Sequence, residues 1–352
     1  MKDSSRVTIK DIAREANVSV GSVYSALRNK GRINNDTKQK ILDTAKKLNY
    51  LTNISASSLS KKKKIQIVAI FPSRLKEFWD QIELGMLEAE QELSDYGINL
   101  KILRTDNFFV EEQIRHLVDL KDEEIDGIAI APAHPTYLND FLDGFIEKNI
   151  SVVTFNSDAP RSKRCLNIQN DLYRSGQLAA ELIAKLIMYK GNIAVFNAYP
   201  DVQALILRNN GFKNEIETYY PDIHIGKPII HFDNEELQYS QMKELINSNE
   251  QINSVFADNA NIFGIAKAIK EAGQQRKIVV VGYDYSDRAR DLLFDDIIQA
   301  LICQDPHKQG FLAIKMLFKC IVAKESLPNE KNIYTSPRVI FRNSIEYLDN
   351  MQ

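Results

Sequence analysis

Apolar residues near the start of the chain recur at helical spacing. Ile9, Ile12, Ala13 and Ala16 fall at i, i+3, i+4 and i+7 and so share one face of a helix. Thr8 stands where its hydroxyl caps that helix, and Asn17, tolerant of the left-handed conformation, stands where the chain must turn. Val18 plugs the turn and Ser19 caps a second helix over 20–27. Val23, Ala26 and Leu27 form the inward side of this helix, which leaves Val20, Gly21, Ser22, Tyr24 and Ser25 facing outward. A third helix is predicted over 36–48 with a cap at Asn35 or Asp36. It buries Ile41, Leu42, Ala45 and Leu48 and exposes Lys38, Lys40, Lys46 and Lys47.

From Ile65 onward the pattern changes. Residues 65–71 read as a buried strand, 79–93 as an amphipathic helix, and 99–103, 127–131 and 151–155 as further strands. After Asp158-Ala159-Pro160 the alternation restarts, with a helix over 172–188, a strand over 192–196 and a helix containing 208–219. Strands near Ile229 and Val255 and over 278–281 continue it. Such alternation implies parallel sheets with helices on both faces. The stretch exceeds one comfortable core, so two α/β lobes facing a cleft are expected, with ligands bound beyond the carboxyl ends of the strands.

Composition alters this picture in one respect. The 352 residues hold 45 Lys/Arg and 47 Asp/Glu, a formal net charge of −2, and 44% are apolar, which argues against wholesale disorder. Through Lys64, however, 15 basic residues face 5 acidic ones, and the remainder holds 30 against 42. A basic head on an acidic body points to a polyanionic partner for the head alone. Met1-Lys2-Asp3-Ser4-Ser5-Arg6 leads into a charged segment, not an apolar secretory stretch. No apolar run reaches the roughly 18 residues of a membrane span. Cys165, Cys303 and Cys320 are far apart and form no metal or disulfide pattern. A cytoplasmic protein with no membrane partner is expected.

Two short helices across a tight turn, with Ala13 small enough for close contact, make a helix-turn-helix whose second helix can enter a DNA major groove. The block Val7-Thr8-Ile9-Lys10-Asp11-Ile12-Ala13-Arg14-Glu15-Ala16-Asn17-Val18-Ser19, with Ser22-Val23-Tyr24 and Leu48-Asn49-Tyr50, resembles the DNA-binding head of the lactose-repressor (LacI/GalR-type) family of bacterial transcription regulators. The likeness extends over the whole chain. It implies an all-α head over 1–52, a hinge over 53–64, and over 65–352 a two-lobed α/β body like a periplasmic sugar-binding protein.

In such heads the first positions of the recognition helix read bases, here Val20 and Gly21 with Tyr24 and Ser25, and Ser22 shares their face. The family's common serine-arginine pair is replaced by Tyr24-Ser25, and Gly21 lacks a bulky polar side chain. The operator is therefore expected to differ, with Arg28 or Asn29 taking part of the polar contact. Thr8, Ser19, Asn34, Thr37 and Tyr50 match positions that contact backbone phosphate, where hydroxyl and amide donors set register without reading sequence. The small polar residues over 53–60 read on their own as a flexible linker. The resemblance implies instead a hinge helix formed on DNA, with Ala56 permitting close approach in the minor groove and Leu59 wedging between base steps. Lys61 to Lys64 would neutralise phosphates, so affinity should fall with salt.

The residues just past the expected strands carry the candidate ligand chemistry: Phe78, Trp79, Asn156, Arg208, Asn259, Asp284 and Gln304. In the resembling family these positions converge on a small ligand, usually a sugar. Aromatic faces suit the C–H face of a sugar, and amides, carboxylates and guanidinium suit its hydroxyls. Each also has a plain alternative: Trp79 packing its lobe, Asp284 capping a helix, Arg208 pairing with a surface carboxylate. Asn156 departs from the Asp common in sugar-binding relatives.

Catalysis finds no support. There is no nucleophile elbow, phosphate loop or zinc-protease motif, and His116, His134, His224, His231 and His307 are scattered. No cofactor or metal is expected; a sugar-processing enzyme with a DNA-binding head is the rival reading. The resemblance implies a homodimer on a pseudo-palindromic, double-stranded operator, switched by a small effector.

Overall fold

The turn between the first two helices is built on a left-handed residue. Asn17 has φ 51°. Its N–H bonds the carbonyl of Arg14 at 3.2 Å, and the N–H of Val18 reaches back to Ala13 at 2.9 Å. This pair of bonds satisfies the last carbonyls of α1 (Ile9–Ala16). Ser19 Oγ accepts the N–H of Ser22 at 3.1 Å and so caps α2 (Val20–Leu27). In α3 (Asn35–Lys47) the cap is Asn34, earlier than expected, with its Oδ1 accepting the Asp36 N–H at 2.9 Å.

Ile12, Ala13, Ala16, Val23, Ala26, Ile41 and Ala45 form the core of this head, with Val18, Leu27 and Leu48 at its edge. Leu42, expected inside, is 37% exposed. Ile41, Ala45 and Leu48 already fill the i, i+4, i+7 stripe, and Leu42 lies about 100° around the helix from Ile41.

This computed structural model describes residues 9–27, 33–48, 64–248, 251–322 and 331–345. The chain divides into two units, Met1–Lys63 and Lys64–Gln352. Thr8, Arg28, Asn29, Tyr50, Ala56 and Leu59, with all of the expected 53–64 hinge except Lys64, lie outside the described residues, as does the side chain of Tyr24.

The second unit has two sheets. The first is built on β1 (Ile65–Pro72), β2 (Ile98–Thr105), β3 (Gly127–Ile130), β4 (Ser151–Phe155) and β5 (Leu166–Asn170), joined by β12 (Asn332–Thr335), in the order β12-β5-β4-β3-β1-β2 and parallel throughout. The second has β6 (Gly191–Asn197), β7 (Ile223–Ile225), β8 (Ile229–Ile230), β9 (Ser254–Ala257), β10 (Val279–Tyr283), β11 (Ala300–Cys303) and β13 (Arg338–Ile340). Its order is β13-β11-β10-β9-β6-β7, with β8 also on β6 and only β13 antiparallel. Strands such as β3, β9 and β11 are buried along their whole length, as parallel strands covered on both faces must be.

Helices α4 (Lys76–Glu92) and α12 (Pro306–Val322) cover one face of the first sheet through Trp79, Ile82, Met86, Ala313, Ile314 and Leu317. On the other face lie α5 (Val110–Asp119) and α6 (Asn139–Glu147), through Leu117, Leu142 and Phe145. The second sheet is sandwiched likewise. α7 (Leu172–Leu186) and α8 (Gln203–Tyr219) pack on one face, and α9 (Glu235–Asn247), α10 (Phe263–Glu271) and α11 (Asp287–Phe294) on the other.

The restart of alternation after Pro160 is not the lobe boundary. β5 still belongs to the first sheet, and the chain crosses at Asp171, whose side chain caps α7 by accepting the Arg174 N–H. It returns after β11 through α12 and crosses again between β12 and β13. Three strands of chain thus join the lobes beside the cleft.

Candidate functional site

Both sheets direct their carboxyl ends at a shared cavity of about 570 Å³, part of it open to solvent. Phe78, Trp79, Asn156, Arg208, Asn259, Asp284 and Gln304, the residues expected there, all line it. Asn156 directly follows β4, Asp284 follows β10 and Gln304 follows β11, while Asn259 lies just past β9. Arg208, expected at the opening of a helical segment, sits inside α8, which starts at Gln203.

Arg208 is the centre of the polar wall and is only 2% exposed. Its Nη1 donates to the carbonyl of Asp258 and its Nη2 to Gln304 Oε1. The guanidinium lies over the ring of Tyr283, 3.8 Å from the centroid, a cation–π contact in a dry setting. Gln304 in turn donates from Nε2 to Asp284 Oδ2 at 2.6 Å, and its N–H bonds Asp284 Oδ1 at 3.0 Å. One amide therefore spaces a buried cation from a buried anion. Burial pushes the Asp284 carboxyl up to about 6, against which the Gln304 bonds and the Arg208 charge pull. Beneath it, burial pushes Asp258 up to about 7 although Asn209 and the Ala198 N–H donate to it.

Asn259 donates to Asp233 Oδ1 at 2.7 Å, and burial raises Asp233 to about 6. Tyr199 bonds the same carboxyl, and burial raises its hydroxyl. Asn156 donates weakly to Gln309 Oε1 at 3.4 Å, and Gln309 donates to the Gln304 carbonyl at 3.0 Å.

The opposite wall is aromatic. Trp79 stacks on Phe71 (5.8 Å between centroids), meets Phe78 edge-on (5.0 Å) and lies 5.9 Å from Phe108. Phe108 and Phe109 then reach across to Tyr199, at 6.2 and 5.9 Å. Trp79 therefore both packs its lobe and lines the cavity.

Sequence reasoning missed Arg74, Leu75, Phe108, Tyr199 and Asp233, which also line the cavity. They sit in loops whose course periodicity does not specify. Leu75 (φ 61°) and Asp233 (φ 55°) share a left-handed backbone with two of the residues that were expected, Asn156 (φ 60°) and Asp284 (φ 59°). Non-glycine residues held there cost on the order of 1–3 kcal/mol each and cluster at ligand sites.

On the head, Val20 is 46% exposed and Gly21 is open, while Ser22 and Ser25 are half-buried. Ser19 and Asn34 are exposed, Ser19 Oγ lying 2.9 Å from Ser22 Oγ, and Thr37 is half-buried. Ser19 and Asn34 thus serve as helix caps whatever else they contact.

A helix-turn-helix head on a two-lobed body with its cleft at the carboxyl ends of parallel strands is the architecture of a DNA-binding regulator with a ligand-sensing domain. The comparisons agree: residues 8–53 match the lacI family of bacterial regulatory proteins, and residues 67–325 match the periplasmic binding protein domain. The chain belongs to the lacI family of transcription regulators, with a body of the periplasmic-binding-protein family.

It is similar to the HTH-type transcriptional regulator RegA of Clostridium saccharobutylicum, 25% identical over 96% of this chain and 98% of that protein. A probable HTH-type transcriptional repressor, ExuR of Bacillus subtilis, is 28% identical over 79% of this chain and 81% of its own. Among solved structures, an ABC transporter solute binding protein from Burkholderia graminis in complex with D-arabinose superposes with a TM-score of 0.74 at 23% identity, covering 80% of this chain and 97% of that one. RegA and the probable repressor ExuR are both transcriptional regulators, the class to which this chain's DNA-binding head assigns it.

Proposed function

We propose that this protein is a cytoplasmic repressor whose operator affinity is set by a sugar or sugar derivative in the interlobe cleft. The convergence of the seven residues on one cavity, aromatic on one wall and polar on the other, carries this reading. Such a lining covers the apolar face of a sugar with Phe78 and Trp79 while Asn156, Arg208, Asn259, Asp284 and Gln304 bond its hydroxyls. The ribose operon repressor of Lactococcus lactis, 24% identical over 89% of this chain, supports a sugar effector by its name.

On the DNA side, Val20, Gly21, Tyr24 and Ser25 read base edges, with Ser22 beside them and Arg28 and Asn29 following. Thr8, Ser19, Asn34, Thr37 and Tyr50 hold phosphates, and Ala56 and Leu59 occupy the minor groove. Two copies present two heads to a pseudo-palindromic operator. The effector changes DNA affinity through whatever difference it has in affinity for the two lobe arrangements. No chemistry on the sugar is involved.

Footprinting of the full chain with and without sugars tests this reading. A protected palindrome whose occupancy changes with a sugar is expected, and turnover of that sugar without any protected site would favour an enzyme.

A further inference from the structure

Within the cleft read above as an effector site, one charged group has no hydrogen-bond or ion-pair partner among the described residues and acts only at a distance, on Asp233 and Tyr199. Arg74 follows β1, lines the cavity and is exposed, and among the described residues none makes a hydrogen bond or ion pair with it. Several other arginines of the body are paired, Arg104 with Asp80 and Glu83, Arg164 with Asp158 and Arg288 with Glu235, and of the two arginines that line the cavity only Arg74 has its guanidinium without a partner. Among the described residues, Arg74 is also the only charged side chain that the first lobe gives to the cavity, since Asn156 is an amide.

A second, independent observation points the same way. Arg208 Nε, on the opposite wall, is buried and has no acceptor. A buried donor left unmade costs about 1–3 kcal/mol, so a ligand that supplies an acceptor is favoured. The N-terminus of the 17-residue helix α4 adds to this, because Leu75 caps it with no side-chain bond while lining the cavity. The cavity's spare capacity is therefore for accepting groups.

We propose that the effector is a sugar acid whose carboxylate is held by Arg74 while its hydroxyls face Arg208, Asp284 and Asn259. A carboxylate matches a guanidinium in a planar, paired arrangement. A phosphate dianion fits less well, because Asp233 and Asp284 also line the cavity and would repel the second charge.

The test compares D-glucuronate, D-galacturonate and D-gluconate with D-glucose, D-galactose and glucose 6-phosphate, by thermal shift and calorimetry on the full chain and on Arg74→Gln. At least one acid should bind the wild type about tenfold or more tightly than its neutral parent. Arg74→Gln should shrink that ratio to near one, with the ligand-free melting temperature unchanged, and Arg74→Lys should restore part of it. Neutral sugars binding as well as the acids, or a preference that survives Arg74→Gln, would overturn the proposal and leave the sugar-effector reading intact. A stronger response to glucose 6-phosphate would overturn the choice of carboxylate. Silence from acids and neutral sugars alike would remove the sugar-effector reading and this proposal with it.

Discussion

A Cβ placed on Gly176 would lie 2.0 Å from the carbonyl oxygen of Arg208. Helices α7 and α8 therefore touch backbone to backbone at the turn from which the buried guanidinium projects. Gly211 makes the return contact, with its Cβ position 2.0 Å from the carbonyl of Tyr173. The first lobe repeats the arrangement between α4 and α12, where Gly85 meets His307 and Gly310 meets Ile82. The position of Arg208 is thus decided by a residue that has no side chain.

Gly176→Ala should separate the two helices. The expected loss is about 1–3 kcal/mol of stability, together with weaker effector binding as Arg208 shifts off Tyr283. Urea denaturation and calorimetry read the two effects. Gly144→Ala in α6, where nothing lies within 4 Å, is the control and should gain up to about 1 kcal/mol.

The buried carboxyl of Asp258 predicts an inverted pH dependence. Burial raises it from 3.8 to about 7, so the folded chain binds its proton more tightly than the unfolded chain does. The stabilisation this brings is fully present below 3.8 and is lost as pH rises through about 7. It falls by up to about 1.4 kcal/mol per pH unit. His231, pushed down from 6.5 to about 4 by burial, imposes the opposite slope, so a comparison of variants is needed. The stability of the wild type relative to Asp258→Asn should decrease steadily from about pH 5 to about pH 8. A constant difference across that range would contradict the burial argument.

Arg164 and Asp158 form a buried pair, 2.5 Å apart, with side chains 4% and 9% exposed. Thr154 and the Ala159 N–H also donate to Asp158 at 2.8 Å, so the carboxylate is fully engaged. Arg164→Met leaves that charge buried without its partner and should cost about 3–5 kcal/mol. Replacing both residues with apolar ones should recover much of the loss. Denaturant midpoints of the two variants give the answer.

In the head, Asn17 adopts φ 51° to close α1. Asn17→Ala should destabilise the head by about 1–2 kcal/mol, and Asn17→Gly should not. Hydrogen exchange at the amides of Val18 and Val23, which bond Ala13 and Ser19, reports the difference.

Much of this protein was legible in the order of its residues because helix and strand periods are local. The i, i+3, i+4 stripe of α1, the left-handed turn at Asn17 and the cap at Ser19 depend on neighbours within a few positions. Asn156, Asn259, Asp284 and Gln304 could be found because a parallel strand ends where its apolar run ends, and ligands gather beyond such ends. What local pattern does not carry is which sheet a strand joins. That Leu166–Asn170 stays with the first lobe, and that Pro306–Val322 returns to it, follows from long-range packing on α4 and β4. The same holds for Arg74, Phe108, Tyr199 and Asp233, loop residues from two lobes that meet only at the cavity between them. Periodicity names the face a side chain takes within its own element. Only the packed fold decides what stands opposite, because contacts between elements far apart in sequence are selected by complementary shape and charge.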